Sequence, residues 1–178
     1  LVLDLPVTFS MSRLLAGYRF PYAWNEKHQA RVGLLPRKGS ADDIIWVPVE
    51  PCYVFHPANA FETADGKIIV DVVAHETMFA ESTRGPDSQK ARMERWTLDP
   101  AARTSVRTVI HGHAQEFPRY DERLTTKPYR YAYTVAIPEA EASEWQIADT
   151  RLFRHDLDKG VTAAHDFGPG RHPGEFVF

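Results

Sequence analysis

The sequence predicts an all-β fold of the sandwich, barrel or propeller type. Many short apolar stretches are rich in β-branched and aromatic residues, as strands are. Residues that favour tight turns separate these stretches, which indicates hairpin connections. Helical patterns are weak and short, so no helix is expected to organise the core.

The predicted strands follow one another along the whole chain. They are Arg31–Pro36, Ile44–Val49, Cys52–Phe55, Lys67–Val73, Ala91–Leu98, Thr104–Ile110, Tyr129–Ile137, Gln146–Phe153 and Gly174–Phe178. Between them lie predicted turns at Arg37–Ser40, Ala64–Gly66, Asp99–Ala102 and Asp156–Gly160.

Helical signal is confined to Ser10–Tyr18, Gln89–Met93 and Pro138–Trp145. The stretch Glu81–Gln89 is the most loop-like and is expected to be an exposed hairpin connection. We find no segment that resembles an interdomain linker.

A loose repeat favours the propeller among the three architectures. An apolar strand, a turn containing aspartate and a second apolar strand recur around Asp65, Asp99 and Asp158. Successive propeller blades would produce such a repeat, although the spacings here are uneven.

The chain has 178 residues, of which 43% are hydrophobic and 25% charged, with 13 Pro and 10 Gly. This composition is globular and excludes collagen-like, disordered and disulfide-scaffold proteins. Both ends are apolar, at Leu1 and at Phe178, unlike the polar and frayed termini of most domains. We therefore expect residues 1–178 to be an internal segment of a single domain, with no second domain.

The formal net charge of −3 arises from dispersed basic and acidic residues, which does not favour a nucleic-acid partner. Cys52 is the only cysteine, so no disulfide can form within the chain. We expect it to be a small buried residue of a protein in a reducing compartment such as the cytoplasm. No apolar run is long enough to span a membrane as a helix.

Eight histidines invite a metal hypothesis, but none has the close spacing of a zinc motif. His56 has the most distinctive setting, because an apolar run ends there before Pro57. Two interpretations remain open for His56. It faces a cavity as a metal ligand or catalytic residue, or it is a core histidine that is hydrogen-bonded to a backbone carbonyl. His111 and His113 would share one strand face, where two imidazoles could bind a metal, but Gly112 intervenes and no third ligand is near, so we favour a solvated or edge position. Surface positions are expected for the others: His28, His75, His155, His165 and His172.

Two acids stand beside apolar and aromatic residues, where burial of an unpartnered carboxylate is costly. Glu116 precedes Phe117 and Pro118, and Glu175 precedes Phe176. Each has two possible partners on local pattern alone. One is a basic side chain, and the other is the N–H of a histidine whose second ring nitrogen binds a metal.

At these residues the chain resembles the carotenoid cleavage oxygenase family, which includes lignostilbene dioxygenases and the retinoid isomerohydrolase. The resemblance extends over essentially the whole chain. The matching motifs, in family order, are Gly33–Arg37, Phe55–Glu62, Arg95–Asp99, Glu116–Asp121, Tyr129–Tyr133 and Pro173–Phe178.

The resemblance implies a seven-bladed β-propeller with Fe(2+) on its axis, held by four histidines, with three glutamates that accept hydrogen bonds from the histidine rings. It implies that His56 is the third ligand in chain order and that Glu116 bonds its ring. Glu175 would orient the fourth histidine. The other three ligands and one glutamate would lie outside this chain, and no catalytic side chain is implied beyond the metal site.

The implied reaction is oxidative cleavage by O₂ of a conjugated double bond in a carotenoid, apocarotenoid or stilbene, giving two carbonyl products. The substrate would be lipophilic, and some family members contact membranes peripherally. Alternatives are retinoid isomerohydrolase chemistry on the same fold and a non-catalytic all-β binding module. The binding module predicts that His56, Glu116 and Glu175 point away from one another. With one ligand of four, the isolated segment is expected neither to hold iron tightly nor to catalyse.

Overall fold

A computed structural model describes residues 1–82, 87, 90–138 and 149–177. Within these residues the fold is almost entirely antiparallel β-structure, with one short α-helix. The strands are β1 (Val2–Asp4), β2 (Val7–Phe9), β3 (Tyr22–Trp24), β4 (Arg31–Leu34), β5 (Ile45–Pro48), β6 (Pro57–Glu62), β7 (Ile68–His75), β8 (Ala91–Asp99), β9 (Thr104–His111), β10 (Gln115–Tyr120), β11 (Tyr131–Ala136), β12 (Arg151–Asp156) and β13 (Val161–Asp166). The helices are α1 (Met11–Leu15) and two 3-10 turns at Ala41–Asp43 and Glu122–Leu124.

Two four-stranded meanders dominate the architecture, with strand orders β6-β7-β8-β9 and β10-β11-β12-β13. Each has every strand paired antiparallel to the next in the chain, as in a propeller blade. A three-stranded sheet, β1-β4-β5, and the pair β2-β3 precede them. Gly66 and Gly160 have positive φ angles of 78° and 63° in the predicted hairpin turns. The all-β prediction is confirmed, and the described sheets form part of a propeller ring without closing it.

Several local predictions were wrong. Cys52–Phe55 contains only a single bridge, between Tyr53 and His75, and the described part of Gly174–Phe178 is not a strand. The described part of Gln89–Met93, from residue 90 onwards, is not a helix, because β8 begins at Ala91. Of Pro138–Trp145, only Pro138 lies within the described residues.

The predicted helix at Ser10–Tyr18 is present in shortened form as α1. The Ser10 side chain accepts a hydrogen bond from the Arg13 N–H at 3.4 Å, so Ser10 acts as its N-cap. The helix ends after little more than one turn, with Gly17 at a φ of 81° beyond it.

Two strands that the sequence did not predict, β6 and β10, are the first strands of the two blades. Pro57 begins β6 instead of a connection, and Pro118 lies where the register of β10 shifts between Glu116 and Arg119. Proline has no backbone N–H, and it is tolerated at strand starts and bulges because no hydrogen bond between strands is needed from it there. Proline and polar residues in these two strands made them look like loops.

Strand β7 is buried on both faces and separates two core layers. Val70 and Val72 pack towards the first sheet, in a layer with Val32, Val47 and Trp96. Val73 lies instead in the layer shared with the second blade. Because side chains alternate along a strand, Asp71 and His75 have the same direction as Val73.

Asp71 joins the two blades through a buried polar contact. Arg95 donates to both of its carboxylate oxygens at 2.8 Å, and the Tyr129 hydroxyl of the second blade donates at 2.7 Å. Asp71 therefore has its carboxylate satisfied without water.

Candidate metal centre

His56 lies immediately before β6, at the point where the chain enters the first strand of its blade. Its carbonyl accepts a hydrogen bond from the Val73 N–H at 3.4 Å. The side chain is 46% exposed, and the Phe117 ring lies 5.3 Å away between ring centroids. The backbone is thus tied to β7 while the imidazole remains half-open.

Glu116 lies in β10, where the register shifts, and only 1% of its side chain is exposed. The shift places Phe117 in the left-handed region, with a φ of 54°. Such a conformation costs a non-glycine residue about 1–3 kcal/mol and tends to occur at functional sites. Here it lets the Phe117 N–H donate to Glu116 Oε2 at 2.8 Å.

The two residues meet, as the resemblance implied: His56 Nδ1 lies 3.0 Å from Glu116 Oε2. Burial opposes ionisation of Glu116, but hydrogen bonds from His56, His75 and the Phe117 N–H outweigh it and hold the pKa of Glu116 below its ordinary value. The hydrogen bond to Glu116 in turn raises the pKa of His56, against the opposing effect of burial.

An ionised carboxylate can only accept, so His56 Nδ1 carries the proton in this contact. Neutral His56 then has its lone pair on Nε2, which has no hydrogen-bond partner among the described residues. A half-open imidazole with its other nitrogen held by a carboxylate is the usual arrangement of a metal-binding histidine. The residues present therefore fit a metal site.

His75 takes a part in this site that the sequence did not predict. It was expected at the surface, but it is fully buried at the end of β7, and its Nε2 lies 2.6 Å from Glu116 Oε1. The next residue, Glu76, is charged and half-exposed, so the local sequence indicated a surface position. A usable signal was the alternation along β7, which directs the side chain at 75 towards the second blade.

Glu175 pairs with a basic side chain, the first of its two expected partner types. It is half-exposed outside any strand and accepts from Arg119 Nη2, while Phe176 packs against Tyr133. It is close enough to His56 to contribute electrostatically to that residue's raised pKa. Its orienting role towards a fourth histidine stays a prediction.

The remaining histidines form no second centre. Within the described residues there is no group of three or more His, Cys, Asp or Glu side chains that could hold a metal ion. His111 ends β9, the outermost strand of its blade, as the edge alternative expected, and His113 follows it. Both are half-buried and pack against Phe153. His155, also expected at the surface, is fully buried between the hydroxyls of Thr134 and Thr162, each 2.9 Å away.

Burial first, and then the neighbouring His111, lower the pKa of His155 to about 4 from the 6.5 of a free imidazole. Protonation thus favours the unfolded chain, so the stabilisation from neutral His155 is complete above pH 6.5 and is lost as the pH falls from 6.5 to 4. We expect this loss to total about 3 kcal/mol. His155→Gln should flatten the pH dependence of the urea midpoint of the whole protein between pH 7 and pH 5. His165→Gln, at an exposed position, should not, and equal slopes in all three proteins would contradict the assignment.

Cys52 is fully buried and unpaired, as expected, and burial raises the pKa of its thiol to about 12. A thiol with so high a pKa is a poor nucleophile and metal ligand. Among the described residues, no helix is long and apolar enough to cross a membrane.

Comparison with known proteins places these features in a known family. The family model described as retinal pigment epithelial membrane protein matches residues 1–178. The chain is 38% identical over 165 residues to a carotenoid cleavage oxygenase of Mycobacterium tuberculosis, covering 90% of this chain and 33% of that protein. It is 31% identical over 156 residues to apocarotenoid-15,15'-oxygenase of Synechocystis, covering 84% of this chain and 31% of the relative.

Among solved structures, the cobalt-substituted ACO of Synechocystis superposes with a TM-score of 0.77 at 29% identity. The match covers 94% of this chain and 36% of that structure. The chain thus spans about a third of the length of the relatives it matches. The cobalt-substituted neighbour indicates a metal site in that protein.

Proposed function

The chain belongs to the retinal pigment epithelial membrane protein family, that of the carotenoid cleavage oxygenases, and we propose that the whole protein is a non-haem iron(II) dioxygenase. It would cleave a conjugated carbon–carbon double bond of a carotenoid, apocarotenoid or stilbene. One O₂ adds across the broken bond, one oxygen atom to each fragment, so that the products are two carbonyl compounds. The named activities of the relatives support this reaction class.

The contact between His56 and Glu116 carries the proposal. His56 Nε2 would bind iron(II), with the other ligands supplied by parts of the protein outside this chain. Glu116 holds the proton on Nδ1, so the lone pair stays on Nε2, the nitrogen that would bind the metal. When bound, iron(II) supplies the redox chemistry with O₂ that protein side chains lack.

The surroundings of His56 suit an apolar substrate. Phe117 lies against one side of its ring, and Phe55 follows at 6.2 Å between ring centroids. Phe55 in turn packs on Phe79 and Tyr53. These rings offer an apolar surface beside the half-open imidazole for a flat, conjugated molecule.

The test is an assay of the purified, iron-loaded whole protein with a stilbene and an apocarotenal. We expect one O₂ consumed per bond cleaved, with two carbonyl products identified by mass spectrometry. Hydrolysis and isomerisation of a retinyl ester without O₂ uptake would support the isomerohydrolase alternative instead. The binding-module alternative predicted that His56 and Glu116 point apart, whereas they are in contact.

We also propose that residues 1–178 belong to a single propeller domain. In support, the first sheet and the β6–β9 blade share one core layer, and the two four-stranded blades share the next. No described segment separates these layers as a linker would.

For localisation we propose a cytoplasmic protein with peripheral membrane contact. An apolar ridge on α1 supports the contact: Met11, Leu14 and Leu15 are 58%, 46% and 81% exposed. Phe9 and Tyr22 of the adjoining β2-β3 pair are also exposed and pack edge to face. Large apolar side chains exposed together on one helix are typical of a membrane or protein contact.

Replacing Leu15 tests the ridge. We expect Leu15→Ser to weaken co-sedimentation with phosphatidylcholine vesicles about 5- to 30-fold, because burying one leucine contributes about 1–2 kcal/mol even when incomplete. Val106→Ser is the matched control, since Val106 is 63% exposed but lies on β9. Equal binding by both variants and the unaltered protein would exclude the ridge as the contact.

A further inference from the structure

We propose that His75 is a positioning residue of this site, holding the Glu116 carboxylate in the orientation that fixes the His56 tautomer. The inference rests on the proposed function in one respect, namely that His56 binds a metal. It extends the site beyond the histidine and glutamate that the motifs indicate, to a residue on another strand.

The two oxygens of the Glu116 carboxylate accept hydrogen bonds from different neighbours. Oε2 accepts from His56 Nδ1 and from the Phe117 N–H, while Oε1 faces His75 Nε2 at 2.6 Å. Among the described residues, the hydrogen bond from His75 is the one that Oε1 receives. Because the carboxylate is ionised, His75 Nε2 must be the donor.

His75 is itself held rigidly by the segment that carries His56. The backbone N–H of His75 donates to the backbone carbonyl of Tyr53 at 2.8 Å, and the backbone carbonyl of His75 accepts from the Tyr53 N–H at 2.9 Å. The Phe55 ring meets the His75 ring edge to face, at 5.4 Å and 87°. The ring is therefore placed before any metal binds.

In this arrangement the orientation of the Glu116 carboxylate depends on the hydrogen bonds to both of its oxygens. A carboxylate bonded through one oxygen can rotate about its last torsion, whereas bonds to both oxygens determine its plane. Only 1% of the Glu116 side chain is exposed, so water cannot reach Oε1 to replace a lost hydrogen-bond donor. Without His75, the carboxylate would turn towards another donor and its bond to His56 Nδ1 would weaken.

The test compares His75→Gln with His75→Asn in the whole protein. The glutamine amide nitrogen can take the place of Nε2, whereas the asparagine amide is too short to reach Glu116. His155→Gln is the matched control, because His155 is also fully buried and hydrogen-bonded but lies away from Glu116, in β12. If His75→Asn does not fold, His75→Met supplies a side chain of similar length without a donor.

Two measurements are made on each variant. Nitrogen-15 NMR of labelled histidine reports the His56 tautomer in the metal-free protein. Absorption titration with Co(II) reports metal affinity, a probe that the cobalt-substituted relative accommodates. We expect His75→Asn to reduce the Nδ1–H tautomer and to weaken Co(II) binding about 10–100-fold. His75→Gln should retain most of both properties, and His155→Gln should match the unaltered protein.

A double-variant comparison separates positioning from general damage. In a Glu116→Ala background, His75→Asn should cause little further loss of Co(II) affinity, because the carboxylate it positions is gone. The proposal is overturned if His75→Asn leaves the tautomer unchanged, if Gln and Asn reduce both readouts equally, or if the loss is as large without Glu116. Failure of the unaltered whole protein to bind Co(II) would instead contradict the proposed function, and the tautomer measurement would still decide the role of His75.

Discussion

His56→Ala in the whole protein is expected to remove the bound iron and abolish double-bond cleavage. His56 is the one described residue whose ring is half-open, has a free Nε2 and is oriented by a buried carboxylate. Losing a second-sphere partner already costs about 10–100-fold in metal affinity or activity, so losing a ligand should cost more. Elemental analysis after gel filtration and the O₂-uptake assay measure the two effects.

The control for this prediction is His165→Ala, since His165 is an exposed histidine on β13. It should keep the iron content and the rate of the unaltered protein. A His56→Ala protein that retains stoichiometric iron and full activity would refute the ligand assignment.

Asp71→Asn is expected to destabilise the whole protein by about 3–5 kcal/mol, the usual cost of breaking a buried ion pair from one side. Asp71 is fully buried, and it accepts from Arg95 and from Tyr129 across the blade interface. The neutral amide leaves the half-buried Arg95 guanidinium without its countercharge and places an NH₂ group against a donor. Urea unfolding followed by tryptophan fluorescence measures the loss.

The matched control is Arg123→Ala, which removes an exposed ion pair with Asp121. Arg123 is 88% exposed, and pairs of this kind contribute about 0–1 kcal/mol because water screens them. If both substitutions changed the unfolding midpoint equally, Asp71 would not join the blades as described.

The candidate site arises where local sequence patterns were least informative, whereas Asp71 lies in β7, most of which the sequence predicted as a strand. The strands β6 and β10 position His56 and Glu116, yet Pro57, Asn59 and Pro118 made these strands resemble connections. Asn59 is buried in β6, and its side-chain amide donates to the carbonyls of Leu124 and Lys127. Such residues suit a strand only when a neighbouring blade supplies the partners, which no local pattern contains.

The buried histidines illustrate the same limit. His75 and His155 both end or approach the end of a strand, where a polar residue usually meets water. The second blade covers His75, and Thr134 and Thr162 of neighbouring strands enclose His155. Burial at these positions depends on packing between strands that are distant in the chain, so composition and periodicity could not show it.

The sequence by itself determined the all-β class, most of the long strands and the tight turns, because each depends on alternation, side-chain branching or backbone freedom within a few residues. The resemblance also singled out His56 and Glu116 as partners, and they are in contact. Tertiary structure alone decided that Glu175 meets an arginine and that His75 joins the site. A hydrogen bond between residues 41 positions apart depends on how two blades pack, and that packing is a property of the assembled core.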